Sequence, residues 1–404
     1  MLYVGIDIAK NKHDACIIDQ AGNTILKSFT FPNSATGADS LLAHIRKLNP
    51  ESLPVKIGME ATGHYWLALY SHLKANEQEV CVINPIQSDA LRNLYIRQTK
   101  TDTVDAFIIA EVLRFGRFTQ TQIAEPNMLA LRNLCRYRMS LIDTISDIKR
   151  KIMAVMEQIF PEYEKMFSKV FGMASVELLA AYTTPEEILK LPTDELAKLL
   201  NVASKKRLGA KRASDKAKKI QDAAASSFGS KLAADVMAFQ VRQELEQIKL
   251  MENHVEELNE QIALLYAQFD SSLHSMPGMG PVLAAVVLSE IGDISRFSAP
   301  EKLVAFAGID PSVRQSGNFS GNQNRMSKRG SPYLRHAIWL AAFVAAFNDP
   351  VFSAYYQKKR SEGKDHMTAI GAVCRKYLYT VFALLKSGQP YVPHPNSVKS
   401  SPEA

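Results

Sequence analysis

The chain has 404 residues, of which 47% are hydrophobic and 22% charged, and its formal net charge is +7. These values fit an ordinary globular protein of two or three domains with a sizeable core. The four cysteines (Cys16, Cys81, Cys135 and Cys374) lie far apart with no CxxC pair, which argues against a zinc or disulfide framework and for core thiols in a reducing compartment. The chain does not open on a basic stretch followed by an apolar one, so no signal peptide is expected. The longest apolar run, AIWLAAFVAAF (337–347), is too short for a bilayer. A cytoplasmic protein with no membrane partner is expected.

Residues 1 to about 120 alternate strands and helices. LYVGIDI and HDACIID read as strands, Gly22-Asn23 as a turn, and TILKSFTF as a third strand. A helix is predicted over roughly 37–48, a fourth strand at VKIGME (55–60), and a helix from Tyr65 to Ala75. EVCVIN (79–84) is the fifth strand, and a helix from Thr103 to Phe115 closes the set. Three turn-linked strands followed by αβαβα is the order of an α/β RNase H-like fold.

From Met128 the pattern turns helical. Leu141, Ile145, Ile148, Ile152, Val155 and Ile159 recur at steps of four and three, and so do Met251, Val255, Leu258, Ile262, Leu265 and Phe269. This is a coiled-coil seam. The two helices either pack on each other within one chain, form a stalk that joins protomers, or do both. Between them lies a helical insert (161–235), in which Thr184, Pro185 and Glu187 spell a capped helix start. SKKRLGAKRASDKAKK (204–219) carries eight basic residues and one acid, Asp215. Such a run is usually a solvated face. Beside other nucleic-acid signals it becomes a phosphate-contacting surface, with Lys205, Lys206, Arg207, Lys211 and Arg212 as candidates. From Ser275 a compact, mainly α C-terminal domain is expected. Its opening, MPGMGPVLAAVVLSEIG, reads as a helix-hairpin-helix turn or as a plain tight turn. The expected divisions are 1–122, 123–270, 271–387 and a disordered tail at 388–404.

Four acids stand out. Asp7 interrupts an apolar strand, Glu60 ends the fourth strand, and Asp102 and Asp105 lie three apart at a helix start. Taken singly, the last two suit helix capping. Asp7 does not yield to a bland reading, because an acid in a central strand is costly unless a cation or partner compensates it. In an RNase H-like sheet the first and fourth strands are neighbours and the last helix packs over the same edge. Four carboxylates would then meet, and Mg²⁺ or Mn²⁺ would relieve their repulsion and clamp a phosphodiester. GIDIAK also resembles the first phosphate loop of actin-like sugar kinases, but it continues NKHD and no later glycine-rich loop follows.

IDPSVRQSGNFSGNQNRMSKRGSPYLR offers five serines. Ser312 suits a turn, and Ser327 and Ser331 suit capping of the final apolar helix. Ser316 lies in a polar loop with Arg314 before it and Arg325, Lys328 and Arg329 after it, the setting a phosphorus-attacking hydroxyl needs. Ser320, also followed by glycine, is its competitor.

The chain resembles the DEDD transposases of the insertion-sequence-110 family, which includes the Piv-type DNA invertases. The resemblance runs through YVGIDIAKNKHD, MEATGHYW, VINP and KTDTVDA, then PGMGPVLAAVVLSEIGD, FAGIDPSVRQSG and RMSKRGSPYLRHAIWLAA. It implies a RuvC-like domain whose metal tetrad maps to Asp7, Glu60, Asp102 and Asp105, and a C-terminal transposase domain whose nucleophile maps to Ser316. It also implies target and donor DNA as substrates, a structured non-coding RNA as guide, and a homo-oligomer, dimer or tetramer. A RuvC-type junction endonuclease is the alternative, and a nucleic-acid-binding scaffold with inert acids is disfavoured because all four acids are present.

Overall fold

The structure, a computed structural model, describes residues 1–61, 63–92, 102–116, 125–311, 315–316, 319–320 and 325–393. The chain divides into two compact units, 1–123 and 124–404.

The first unit is a mixed α/β layer structure. Its strands are β1 (Leu2–Asp7), β2 (Lys12–Ile18), β3 (Thr24–Pro32), β4 (Val55–Glu60) and β5 (Glu79–Ile83), in the order β3-β2-β1-β4-β5. Short turns allow β1, β2 and β3 to pair antiparallel. The crossover helices α1 (Ala35–Leu48) and α2 (Trp66–Ala75) allow β1, β4 and β5 to pair parallel. Alternation along each strand separates two apolar faces. Leu2, Val4, Ile6, Ile57 and Met59 pack under Leu41, Leu42 and Ile45 of α1 and Leu69 and Leu73 of α2. On the other face, Tyr3, Cys16, Ile18, Cys81 and Ile83 meet α4 (Asp102–Phe115) through Ala106, Ile109, Ala110 and Leu113. A further helix, α3 (Pro85–Arg92), follows β5 and was not anticipated from the sequence.

The approach of α4 is unusually close at Gly5. A Cβ there would lie 2.0 Å from the Ala106 carbonyl oxygen and 2.4 Å from the Ala110 nitrogen. Gly58 provides a similar gap beside Leu113 on the neighbouring strand. At its other end α4 places the Arg114 guanidinium against Gly22, beyond β2. The helix therefore runs antiparallel to β1, and its first turn lies at the end of the sheet that carries Asp7 and Glu60.

The second unit is helical and holds two cores. The helices α5 (Pro126–Ile159) and α10 (Ala234–Tyr266) pack antiparallel within the chain, tied by Arg138–Asn259 (2.6 Å) and Lys149–Glu252 (3.2 Å). The apolar seam on α10 begins earlier than the spacing from Met251 indicates, at Ala238, Val241, Leu245 and Ile248. Their outer halves share a core with the insert helices α6 (Met173–Ala181), α7 (Pro185–Leu189), α8 (Thr193–Ala203) and α9 (Ala210–Ala225). The anticipated capping box at Thr184 is present, and Glu187 also pairs with Arg242 of α10.

The inner halves contribute Leu131, Cys135, Ile262 and Tyr266 to the core of α11 (Pro281–Ile291), α12 (Pro300–Ala307), α13 (Pro332–Asn348), α14 (Pro350–Ser361) and α15 (His366–Ser387). The expected division at residue 271 thus runs through one continuous core. Gly278, at φ +78°, has no room for a side chain because a Cβ would lie 2.6 Å from the Ala341 carbonyl oxygen, which accounts for the first of the two glycines in MPGMG by packing. α15 is long and apolar enough to cross a membrane by length and composition, but half of that stretch is buried within its own core. Beyond it, Tyr391 still docks, donating its backbone N–H to Ser275 and its hydroxyl to Asp349. Of the expected tail, residues 394–404 lie outside the described residues.

Two stability outcomes follow. Gly5→Ala is expected to lift α4 and destabilise the first unit by about 3 kcal/mol or more, measured by chemical denaturation. Glu187 is pulled in opposite directions: burial raises its pKa, while Arg242 and the N–H groups of Thr184 and Thr183 lower it, and the net position is below the ordinary glutamate range. A depressed folded pKa contributes stability above the unfolded value, which is lost as pH falls through the folded value. Glu187→Gln should therefore be less stable than the parent at pH 7, with the gap closing below about pH 4. Melting curves of both proteins across that range check this.

Candidate active site

The sheet register sets the acids. Ile6 pairs with Met59 in the parallel ladder, so Asp7 and Glu60 occupy the next position on adjacent strands. Both stand two residues after a glycine that lets α4 approach, in the tripeptides Gly5-Ile6-Asp7 and Gly58-Met59-Glu60. They share the α4 face of the sheet and are half-buried. Asp102 opens α4 and Asp105 follows in its first turn, one residue before the Ala106 that rests on Gly5.

A fifth acid belongs to this row. Asp14 of β2 pairs with Asp7 across the antiparallel ladder, and its side chain is only 6% exposed. Thr30, its partner on β3, donates a hydroxyl hydrogen bond to it. On the other flank, Ser88 of α3 donates its hydroxyl to Glu60 and to the Pro85 carbonyl at 2.9 Å. The two outer acids are thus each held by a hydroxyl on their outer side. Among the described residues no group of three or more His, Cys, Asp or Glu side chains is arranged to hold a metal ion, and the Asp102 side chain lies outside that description. The available donors are carboxylate oxygens, which suit a hard divalent cation such as Mg²⁺ or Mn²⁺. Placement brings Asp7 and Glu60 together and directs Asp102 and Asp105 to the same end of the sheet, without a closed cage among the described side chains.

In the second unit the serine-rich segment forms a small arm. Its strands β6 (Gln315–Ser316) and β7 (Phe319–Ser320) pair antiparallel, with Ser316 opposite Phe319. Ser316 is therefore the last paired residue before a two-residue connection. A bridge between Pro311 and Met326 closes the base of the arm. The side chains of Ser316 and Ser320, and all of Ser312 and Arg314, lie outside the described residues.

Ser331 caps α13, accepting from the Leu334 N–H at 3.1 Å, and donates to Glu290 at 2.8 Å. Ser327 is not a cap. Its hydroxyl and its N–H both bond Asp310, because it stands at the base of the arm, next to the bridge between Pro311 and Met326, and short of the helix. Arg325, Lys328 and Arg329 are exposed at the arm's base.

A family model described as "Transposase", for DEDD transposases of the IS110 type, matches residues 4–161, and one described as "Transposase IS116/IS110/IS902 family" matches residues 270–357. The chain belongs to the IS110 family of transposases. It is 25% identical to the insertion element IS116 44.8 kDa protein of Streptomyces clavuligerus over 98% of this chain and 97% of that one. It is 26% identical to the insertion element IS900 42 kDa protein of Mycobacterium paratuberculosis over 97% of each. With the pilin gene-inverting protein of Moraxella bovis the identity is 25%, over 96% of this chain and 97% of the relative. The chain is accordingly a DNA transposase or recombinase.

Within this IS110 family transposase, the basic candidates of the insert are all exposed. Lys205 and Lys206 turn the chain between α8 and α9 at φ +53° and +61°. L-residues rarely adopt such angles, and glycine or asparagine would adopt them at lower cost. Sequence reasoning missed Asp14 and Ser88. Asp14 stood in an apolar strand just as Asp7 does, and Pro85 at a helix first turn was the available signal for α3. Ser88→Ala is expected to release Glu60 and lower strand cleavage about 10-fold, with helical content unchanged. Parallel cleavage assays and circular dichroism check this.

Proposed function

We propose that this transposase is the site-specific recombinase of a mobile element, cutting and rejoining DNA through a transient phosphoserine bond at Ser316. The observation that carries the reading is the register of Asp7 beside Glu60, with the start of α4 at the same end of the sheet. The five-strand order is compatible with a RuvC-like domain. Asp7, Glu60, Asp102 and Asp105 would hold Mg²⁺ or Mn²⁺, which when bound supplies charge neutralisation at the scissile phosphate.

The protein's own part is nucleophilic. The Ser316 oxygen attacks phosphorus, the new P–O bond forms as a bond from phosphorus to one sugar oxygen breaks, and the serine proton passes to solvent or a base while the sugar oxygen gains one. Attack by another strand's sugar hydroxyl reverses these steps and restores both the phosphodiester and the serine. Arg325, Lys328 and Arg329 at the base of the arm, with Arg314, would stabilise the charge that develops on the phosphate. The relative named for pilin gene inversion favours rejoining over the simple cutting of a junction endonuclease.

A structured non-coding RNA that pairs with target and donor DNA would carry sequence choice, leaving backbone contacts to Lys205, Lys206, Arg207, Lys211 and Arg212. Acids and serine lie in separate units, so a homo-oligomer, dimer or tetramer, would permit one site to draw on two protomers. The work would be done in the bacterial cytoplasm, on the nucleoid.

Trapping denaturation-resistant DNA–protein adducts and mapping the attached peptide tests the nucleophile. The expected adduct maps to Ser316 and vanishes in Ser316→Ala; an adduct at Ser320 overturns the assignment. Asp7→Ala should abolish recombination and weaken Mn²⁺ binding measured by calorimetry, with the circular dichroism spectrum of the parent retained.

A further inference from the structure

The insert contains a recess of about 680 Å³ between the segment after α5 and one face of α9. Its floor is apolar, with Met166, Phe167, Leu208 and Ile220 among the lining residues. Its charged lining comprises four cations, Lys165, Arg212, Lys216 and Lys219, against two carboxylates, Glu164 and Asp215. Arg212, Lys216 and Lys219 fall at i, i+4 and i+7 on α9, so they form one stripe along the opening. Lys216 is fixed as a wall: its ammonium donates to the Met166 carbonyl and lies 4.4 Å from the centre of the Phe167 ring. Burial, and then the charge of Lys219, hold Lys216 below the ordinary lysine range. Among the described residues none of Lys165, Arg212 and Lys219 forms an ion pair, and all three are exposed at the rim.

A solvated basic helix face does not require an apolar recess behind it, and a phosphodiester chain lying on the surface would not fill one. An apolar floor whose lining carries four cations against two carboxylates suits a ligand that is flat and apolar at one end and anionic at the other. Resting on the reading that this chain works on nucleic acid, we infer that the recess receives one unpaired nucleotide. Its base lies on Met166 and Leu208, and its flanking phosphates meet Lys165, Arg212 and Lys219. The strained turn at Lys205 and Lys206 leads directly into Leu208, so the basic run continues from the surface to the lip of the recess. Unpaired bases are presented by loops and bulges of a folded RNA or by single-stranded DNA, and both offer the same chemistry.

The test uses the full chain and four labelled hairpin probes: RNA and DNA, each with and without a single bulged adenosine in the stem. The parent should prefer a bulged over a flush hairpin by about 10-fold. A preference on RNA identifies an RNA strand as the source, and a preference on DNA alone identifies DNA. Leu208→Trp, which fills the recess without changing charge, should abolish the preference and leave flush binding unchanged. Lys219→Glu, at an exposed position, should weaken the bulged probe more than the flush one. A control substitution of Lys205, Lys206 and Arg207 by alanine should weaken all probes alike and flatten the salt dependence. Equal binding of bulged and flush probes by the parent overturns the recess assignment while leaving nucleic-acid binding intact. Failure to bind any probe overturns both.

Discussion

Helix α4 lies directly on the central strand at Gly5, backbone against backbone. With a Cβ predicted to fall 2.0 Å from the Ala106 carbonyl oxygen, no residue other than glycine fits without moving the helix. The same glycine is two residues from Asp7, on the same face of the sheet, and Gly58 repeats the relation with Glu60 on the next strand. Packing and chemistry are therefore set by one contact. The step of two that aligns side chains on a strand puts the acid one place beyond the gap, and the helix seated in the gap brings its own first turn to that acid. Larger side chains at these two positions would improve the strands by propensity and separate the acids from α4.

The row of acids is held open from outside. Thr30 engages Asp14 and Ser88 engages Glu60, each from the strand or helix flanking the row. Like charges on adjacent strands oppose pairing. Hydroxyl donors on the outer sides engage the outer carboxylates, which lessens that opposition.

How much of this was legible follows from the range of the interaction concerned. Strand alternation, the Gly22-Asn23 turn and the Thr184 capping box are encoded within a few residues, and each stands in the structure where the sequence puts it. The placement of Asp7 beside Glu60 was legible because an acid in an apolar strand is conspicuous and the strand order supplies its neighbour. Ser88 was not, because its role depends on α3 meeting β4 from 28 residues away in sequence. Ser327 and Ser331 look alike as helix starters. Only the pairing of Ser327 with Asp310 separates them, and that pairing depends on how the arm's base closes. The basic run was visible as charge, yet the recess behind it was not, because Lys165 and Phe167 enter it from the far side of the insert.

The second unit shows how a two-stranded arm is anchored at its roots. Glu290, 3% exposed within an apolar helix, accepts two bonds from Arg136 of α5 at 2.6 and 3.0 Å and one from Ser331 at the start of α13. A buried carboxylate this fully bonded is expensive to disrupt, because removing one partner strands a charge in the core. It therefore locks the long helix pair to the helix that follows the arm. On the other side, Asp310 bonds Ser327 and Pro311 bridges Met326, so both roots of the arm are fixed to the same core.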